Sequence, residues 1–79
     1  MHLTAQVRQQ KLAKLLEAEG YDRLEDLSEA VFSDSVSPAI CTEPGCDHTG
    51  EMEPDQDAGY CERCGKNTVV SALVLAGLI

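Results

Sequence analysis

Four cysteines are the residues of this chain whose type and spacing could do chemistry. Cys41 and Cys46 have four residues between them, Cys61 and Cys64 have two, and 14 residues separate the two pairs. Pairs at about this separation are typical of zinc sites. Four thiolates can surround Zn²⁺ tetrahedrally at ~2.3 Å, because the ion is soft enough to accept sulfur. The spacing therefore predicts one site in which all four cysteines hold one Zn²⁺ ion.

Tight turns must position both pairs. In residues 43–46, "EPGC", proline and glycine occupy the two central positions that a type II turn favours, so Cys46 can return beside Cys41. Gly65 directly follows the second pair and supplies the positive φ with which the chain leaves that turn. Backbone N–H groups in such a turn point at the first sulfur. We expect residues 38–66 to form a zinc-ribbon-like β-hairpin around the ion.

A closed set of four thiolates indicates a structural site. Such a site leaves no position for water or substrate, so the ion cannot act as a Lewis acid, and we predict that the chain is not an enzyme. His48 lies two residues after Cys46 and could replace one cysteine as a ligand. Four thiols are present and the local geometry is poor, so we expect His48 at the surface or beside the ligands. His2 carries no signal.

Two other uses of the cysteines stay open. The same four thiolates accept iron, which would make the chain an electron carrier. As a disulfide framework they would permit three connectivities, and nothing in the sequence selects one. The start, "MHLTAQVRQQ", has neither the apolar region nor the cleavage site of a secretory signal. We therefore expect a cytoplasmic protein with reduced thiols, in which paired cysteines are more often metal ligands than disulfides.

The metal would stabilise a fold that has little core of its own. The chain has 79 residues, no Trp, one Phe and two Tyr, and a chain this short buries only ~60% of its unfolded surface. Small domains in this position usually need a disulfide, a metal or a partner chain. We expect one metal-dominated α+β domain over residues 1–79, with a helical hairpin at 1–33, the metal site at 38–66 and an apolar segment at 67–79.

The first two elements are predicted to be helices that pack as a hairpin on the metal half. The first covers residues 4–19, with Thr4 as N-cap and Gly20 as the stop. Its side chains at helical spacing are Val7, Lys11, Leu12, Leu15 and Leu16. The second runs from Asp22 as N-cap to about Phe32. Its inward side chains would be Leu24, Leu27, Ala30 and Val31.

The tail at residues 68–79, "TVVSALVLAGLI", is uncharged. As a helix it would span roughly 18 Å, too little for the ~30 Å hydrocarbon core, so we expect no membrane span. Its valines favour a strand and its alanines and leucines a helix; we predict a helix capped by Asn67. Because it is apolar all round, we expect it to be buried in the monomer, and a homodimer seam is the alternative.

The net charge of −8 is unevenly spread. Residues 1–14 hold three bases and no acid, whereas residues 15–62 hold all 14 carboxylates and only Arg23 as a base. A field of this sign repels nucleic acid. The acidic charge either keeps the protein soluble or provides a binding surface for a partner with a basic surface. A nucleic-acid-binding ribbon would have to bring these bases to one face: Arg8, Lys11, Lys14, Arg63 and Lys66.

Residues 51–59, "EMEPDQDAG", place four carboxylates close to the second cysteine pair. They do not form a calcium loop, because counting from Asp55 puts Lys66 where the bidentate glutamate belongs. We expect a solvated turn, and an acidic epitope for a partner protein is the alternative.

Residues 34–79 carry a resemblance to known proteins. The stretch runs from "DSVSPAIC" through "EPDQDAGYCERCG" to "NTVVSALVLAGLI". It resembles a group of small, largely uncharacterised bacterial and phage proteins with a zinc-ribbon-like core. The resemblance implies metal binding by all four cysteines and no particular activity. The knuckle at 61–65 is also similar to half of a rubredoxin, an iron electron carrier, but Asp47 stands after the first pair where rubredoxins have glycine, and their aromatic core is absent.

The sequence as a whole predicts a non-catalytic zinc-binding module, an adaptor that binds another protein through its acidic face or its apolar C-terminal segment. A rubredoxin-like iron electron carrier is the alternative, and a nucleic-acid-binding zinc ribbon ranks third. We expect neither nucleic acid nor a membrane as a partner, and a homodimer is compatible with the apolar tail.

Overall fold

A computed structural model describes residues 4–78, so His2 and Ile79 lie outside the described residues. The elements follow one another along the chain as α1 (Ala5–Glu19), α2 (Leu24–Asp34), β1 (Ser37–Cys41), β2 (Thr49–Met52), β3 (Val69–Ser71) and α3 (Ala72–Leu75). The three strands form one antiparallel sheet. Two helices followed by this sheet confirm the predicted α+β class.

The first helix begins and ends at the residues that were predicted to cap it. The Thr4 hydroxyl accepts a hydrogen bond from the Val7 N–H at 3.2 Å, which satisfies one of the free N–H groups of the first turn. At the other end Gly20 has φ 79°. This left-handed conformation ends the helix and is open to glycine without a Cβ clash.

The second helix begins one residue later than the sequence predicts. Arg23 is the N-cap, with an extended backbone and no side-chain capping hydrogen bond, so the prediction of Asp22 as N-cap is wrong. Instead, Arg23 Nη2 lies 3.5 Å from Asp26 Oδ1. Acidic side chains in the first turn also interact favourably with the helix dipole, which offsets the missing cap. The helix continues past Phe32 to Asp34.

The two long helices pack on the sheet more than on each other. α1 contacts β1 and α3, α2 contacts β1, and α1 and α2 have few contacts between them. Both helices contribute side chains to one core on the sheet, Leu15 from α1 and Leu27 and Val31 from α2. The core between helices and sheet consists of the buried side chains Leu15, Leu27, Val31, Ile40, Val70, Ala72, Leu73 and Leu75.

Strand β1 is the centre of the sheet, with β2 on one side and β3 on the other. Ala39 pairs with Gly50 in β2 and with Ser71 in β3. At the end of β1, Cys41 pairs with Val69, the first residue of β3. This register brings the start of the first cysteine loop beside the chain that has just left the second one.

The apolar tail is a strand that turns into a short helix, so the prediction of one helix capped by Asn67 is wrong. Val69–Ser71 pair with β1, because β-branched valines fit a buried, pleated strand. Within residues 68–78, only Ala72–Leu75 are helical, and their N-cap is Ser71, whose Oγ accepts a hydrogen bond from the Val74 N–H at 3.3 Å.

Most of this tail is buried within the chain itself. The buried side chains are Thr68, Val69, Val70, Ser71, Ala72, Leu73 and Leu75, and Leu78 is exposed. Burial in the monomer, as predicted, is therefore observed for the strand and the short helix. In the described part of the chain, no helix has the length and apolar character needed to cross a membrane.

Candidate metal centre

The four cysteine sulfurs converge between two turns. The Sγ atoms of Cys41 and Cys64 are 3.6 Å apart, those of Cys46 and Cys61 are 3.8 Å apart, and all four lie within 4.8 Å of one another. Ligands at ~2.3 Å from a tetrahedral ion are about 3.8 Å from each other, so the cluster could hold one metal ion. None of the four cysteines forms a disulfide. The structure thus brings together all four residues that the spacing selected.

The first cysteine loop folds as its Pro-Gly pair predicts. The Cys46 N–H donates to the Glu43 carbonyl at 3.0 Å, and Gly45 has φ 81°. The proline before Gly45 cannot take a positive φ, so the turn is of type II. The Cys41 N–H donates to the His48 carbonyl at 2.9 Å and closes the loop. Both thiols of the first pair therefore reach the same cluster.

The second cysteine turn carries hydrogen bonds to its own sulfur. The Gly65 N–H donates to the Cys61 carbonyl and the Cys61 N–H to the Lys66 carbonyl, each at 2.8 Å, and Gly65 has φ 74° as predicted. Burial raises the pKa of the Cys61 thiol, but hydrogen bonds from the backbone of Cys64 and Arg63 outweigh burial, and the pKa falls to about 6. This turn therefore favours the thiolate, which is the form that binds metals.

The hydroxyl of Thr68 contacts the sulfur of Cys41, the last residue of β1. Burial raises the pKa of the Cys41 thiol to about 12, although the Thr68 hydroxyl, 3.0 Å from Cys41 Sγ, lowers it in part. The same hydroxyl oxygen is 3.7 Å from Cys64 Sγ. A bound cation would stabilise every thiolate of the cluster, including the one that burial disfavours. Sequence reasoning missed Thr68, because a single hydroxyl before an apolar tail has no spacing that marks it.

The ammonium group of Lys11 holds the first cysteine loop against α1. Lys11 is only 6% exposed. Its Nζ donates to the carbonyls of Glu43 at 3.0 Å and Cys46 at 2.7 Å, and it pairs with Asp47 Oδ1 at 2.9 Å. In the sequence, Lys11 lies at helical spacing with the apolar side chains of the first helix. That position alone indicated that its side chain is buried. This contact joins the helical half to the loop that carries two of the four thiols.

Two further ion pairs surround the cysteine loops. Lys14 Nζ lies 3.0 Å from Asp47 Oδ2, and Lys66 Nζ lies 3.1 Å from Glu43 Oε1. Hydrogen bonds from Lys11 and Lys14 lower the pKa of the Asp47 carboxyl. The Glu43 carboxylate raises the pKa of the Lys66 ammonium. Three of the six bases, Lys11, Lys14 and Lys66, are thus held beside a site whose ligands are anionic as thiolates.

His48 and the acidic loop lie outside the sulfur cluster. Within the described part of the chain, the four cysteines are the one group of three or more metal-binding side chains whose ligand atoms lie together. The loop at 51–59 is tied to β3 by Ser71, whose N–H donates to the Gln56 carbonyl at 3.2 Å and whose hydroxyl donates to the Pro54 carbonyl. Glu51 lies in β2 and not in a turn, whereas Glu53, Asp55 and Asp57 follow the strand, and all four carboxylates are exposed.

Comparisons with known proteins add no family to this description. No protein-family model, curated protein or solved structure matches the chain. The resemblance to zinc-ribbon-like bacterial and phage proteins therefore stays a prediction. The fold and the site define the class: a small α+β chain with a cluster of four cysteines that could hold a metal ion.

Proposed function

We propose that this chain is a non-catalytic zinc-binding module that binds another protein. The observation that carries the proposal is the convergence of four sulfurs, within 4.8 Å of one another, from two separate turns. One turn follows β1 and the other precedes β3, so an ion between them would join segments that are distant in the sequence. Structural zinc contributes ~10–16 kcal/mol of apparent folding free energy, which is large for a chain with so small a core.

The surroundings of the cysteines support zinc over iron. Among the described residues, the apolar side chains that pack with the cysteines are Ala39, Met52 and Val69. None of them is aromatic, whereas the rubredoxins that the second turn resembles have an aromatic core. Four thiolates that complete a tetrahedral shell are the usual ligands of structural zinc.

The ligand set also supports a structural rather than a catalytic role. Four sulfur ligands complete a tetrahedral shell and leave no position for water or substrate. Cys41, Cys46 and Cys61 are buried, and only Cys64 is partly exposed. The remaining polar groups near the cluster hold the loops in place: Lys11 through the first loop and Thr68 through its hydroxyl.

The charge distribution supports a basic protein as the partner. Three of the five bases that a nucleic-acid interface would use are engaged with carboxylates of this chain, Lys11 and Lys14 with Asp47 and Lys66 with Glu43. The whole chain has a net charge of −8, and these five paired residues sum to +1, so the excess negative charge lies on the rest of the chain. The apolar tail is mostly buried inside the chain, so the acidic surface is the face that we assign to the partner.

Metal analysis of untagged protein purified from cells tests the zinc assignment. We expect about one zinc per chain, and loss of both zinc and fold in Cys61→Ser, because one missing thiolate opens the site. Glu62→Gln, an exposed residue of the same turn, is the matched control and should keep its zinc. A red protein with stoichiometric iron that bleaches on reduction would establish the electron carrier instead. A folded protein without metal would refute both.

A further inference from the structure

An apolar hollow opens beside the C-terminal end of α2. It has a volume of about 230 Å³ and is lined by Val31, Phe32, Ser35, Pro54 and Leu73. Phe32 is 77% exposed, although it is the one phenylalanine of the chain. Large apolar side chains of small domains are usually used to fill the core. In this chain, the side chain of Phe32 instead lines a hollow at the surface.

A second, acidic hollow shares Val31 with it. It has a volume of about 310 Å³, and three carboxylates line it, those of Glu19, Asp34 and Glu51. No lysine or arginine of the described residues lines it. Among residues 4–78, these three carboxylates form no ion pair. The remaining lining residues are Tyr21, Ala30, Val31, Val36 and Pro38.

The end of α2 departs from the residues that would stabilise it best. Asp34 lies in the last turn, which contains no base, so its carboxylate faces the negative end of the helix dipole. Ser35 has φ 60° where glycine would be unstrained, and it is the one non-glycine residue with a positive φ in the described chain. The end of α2 therefore combines three features that do not stabilise it: an acid at the negative end of the dipole, a non-glycine residue at positive φ, and an exposed phenylalanine. Departures of this kind are expected at functional sites.

We propose that these two hollows, the α2 cleft, bind a protein segment that carries a lysine or arginine next to a large apolar side chain. The apolar hollow takes the apolar side chain, beside Phe32, and the acidic hollow takes the cation. This inference rests on the proposed function as an interaction module and names its surface and the chemistry of its partner. The unpaired carboxylates select a basic segment by charge complementarity.

A second copy of this chain fits the cleft less well than a basic segment. In a two-fold contact the same patch faces itself, which would place Glu19, Asp34 and Glu51 opposite their own counterparts. Like charges in such a contact oppose association. The cleft is therefore assigned to a different protein.

Selection from a library of random displayed peptides, with the zinc-loaded full chain as bait, tests the assignment. We expect enrichment of peptides with lysine or arginine close to an aromatic or aliphatic residue. Phe32→Ala should weaken binding of a selected peptide about tenfold. Asp34→Asn should weaken it about two- to fivefold and reduce its salt dependence. Tyr60→Ala removes a comparably exposed aromatic (64%) elsewhere and should leave binding unchanged.

The outcomes separate this inference from the proposed function. Absence of enrichment, enrichment of acidic peptides, or binding unaffected by Phe32→Ala would each overturn the cleft assignment. Self-association of the chain that Phe32→Ala abolishes would replace the basic segment by a second copy. Zinc content and amide spectra of the same samples report on the metal site independently. A selected peptide that shifts amides of other surfaces would leave the interaction function standing and remove the cleft.

Discussion

The least ordinary single residue is Lys11. Lysines are almost never buried unless they are paired, and this one reaches two carbonyls of the first cysteine loop and the carboxylate of Asp47. It cannot bind a metal cation, yet it positions the loop that carries two of the four thiols. Thr68 has a similar indirect role, since its hydroxyl contacts the sulfur of Cys41. The candidate metal site therefore includes residues that position the four cysteines as well as the cysteines themselves.

Lys11→Met should destabilise the zinc-loaded protein by about 2 kcal/mol, because the side chain keeps its length and leaves the carbonyls of Glu43 and Cys46 without their charged donor. Urea denaturation measures this loss. Lys14→Met is the matched control: Lys14 is 56% exposed and, among residues 4–78, pairs only with Asp47, so its loss should have a much smaller effect. Equal midpoints for the two variants would contradict the role given to Lys11.

Thr68→Val should lower zinc affinity by about tenfold, because outer hydrogen bonds to metal ligands typically contribute that much. The substitution preserves shape and removes the hydroxyl that lies 3.0 Å from Cys41 Sγ. Competition with a chromophoric chelator measures the affinity. Thr49→Val, at an exposed threonine of β2, is the control. The role of the hydroxyl would be disproved if the two variants bound zinc equally well.

At the scale of elements, two turns and one strand make the site. Strand β1 ends at Cys41, the Pro-Gly turn returns the chain to Cys46, and the second turn presents Cys61 and Cys64 just before β3. Alternation along β1 puts Ile40 in the core under the helices and Cys41 in the cluster of cysteines. One face of the central strand therefore contributes to the core under the helices, and the opposite face contributes to the metal centre.

Gly45→Ala should destabilise the zinc-loaded protein by about 1–2 kcal/mol, because an alanine is strained at φ 81°. A Cβ at this position meets nothing within 4 Å, so the whole effect is backbone strain. Gly50→Ala is the matched control, since its Cβ also has open space and its φ is not positive. Thermal unfolding of both variants measures the difference, and an unchanged Gly45→Ala midpoint would contradict the type II turn.

At the scale of the whole molecule, the helices and the metal centre are linked twice. Lys11 crosses from α1 to the first cysteine loop, and β1 carries the core residues on one face and Cys41 on the other. A chain of this size has little stability to spare. The proposed zinc ion should therefore support the helices as well as the cysteine turns.

Removal of zinc by a chelator should unfold α1 together with the sheet in one transition, because metal binding and folding are coupled in small metal-bound domains. Far-UV circular dichroism and amide exchange within Ala5–Glu19 measure the two halves separately. The same chelator saturated with zinc is the control and should change neither signal. Helices that keep their protection after metal loss would show that the two halves fold independently.

The predictions that succeeded concern residues whose structural roles are local. Thr4 and Gly20 cap α1, and the Pro-Gly pair and Gly65 shape the cysteine turns, because φ preferences and capping bonds act within a few residues. The predictions that failed concern competition between neighbours or distant segments. The N-cap of α2 is Arg23 and not its neighbour Asp22, and pairing with β1 made Val69–Ser71 a strand.

By itself the sequence determined the four thiols, the two turns that aim them and the acidic charge of the chain, since ligand type, spacing and turn residues are properties of short segments. Only the tertiary structure decided that Lys11 serves the first cysteine loop, that Thr68 contacts Cys41 and that Phe32 lines a surface hollow beside unpaired carboxylates. Each of these depends on which segments, far apart in the chain, the packed sheet brings into contact.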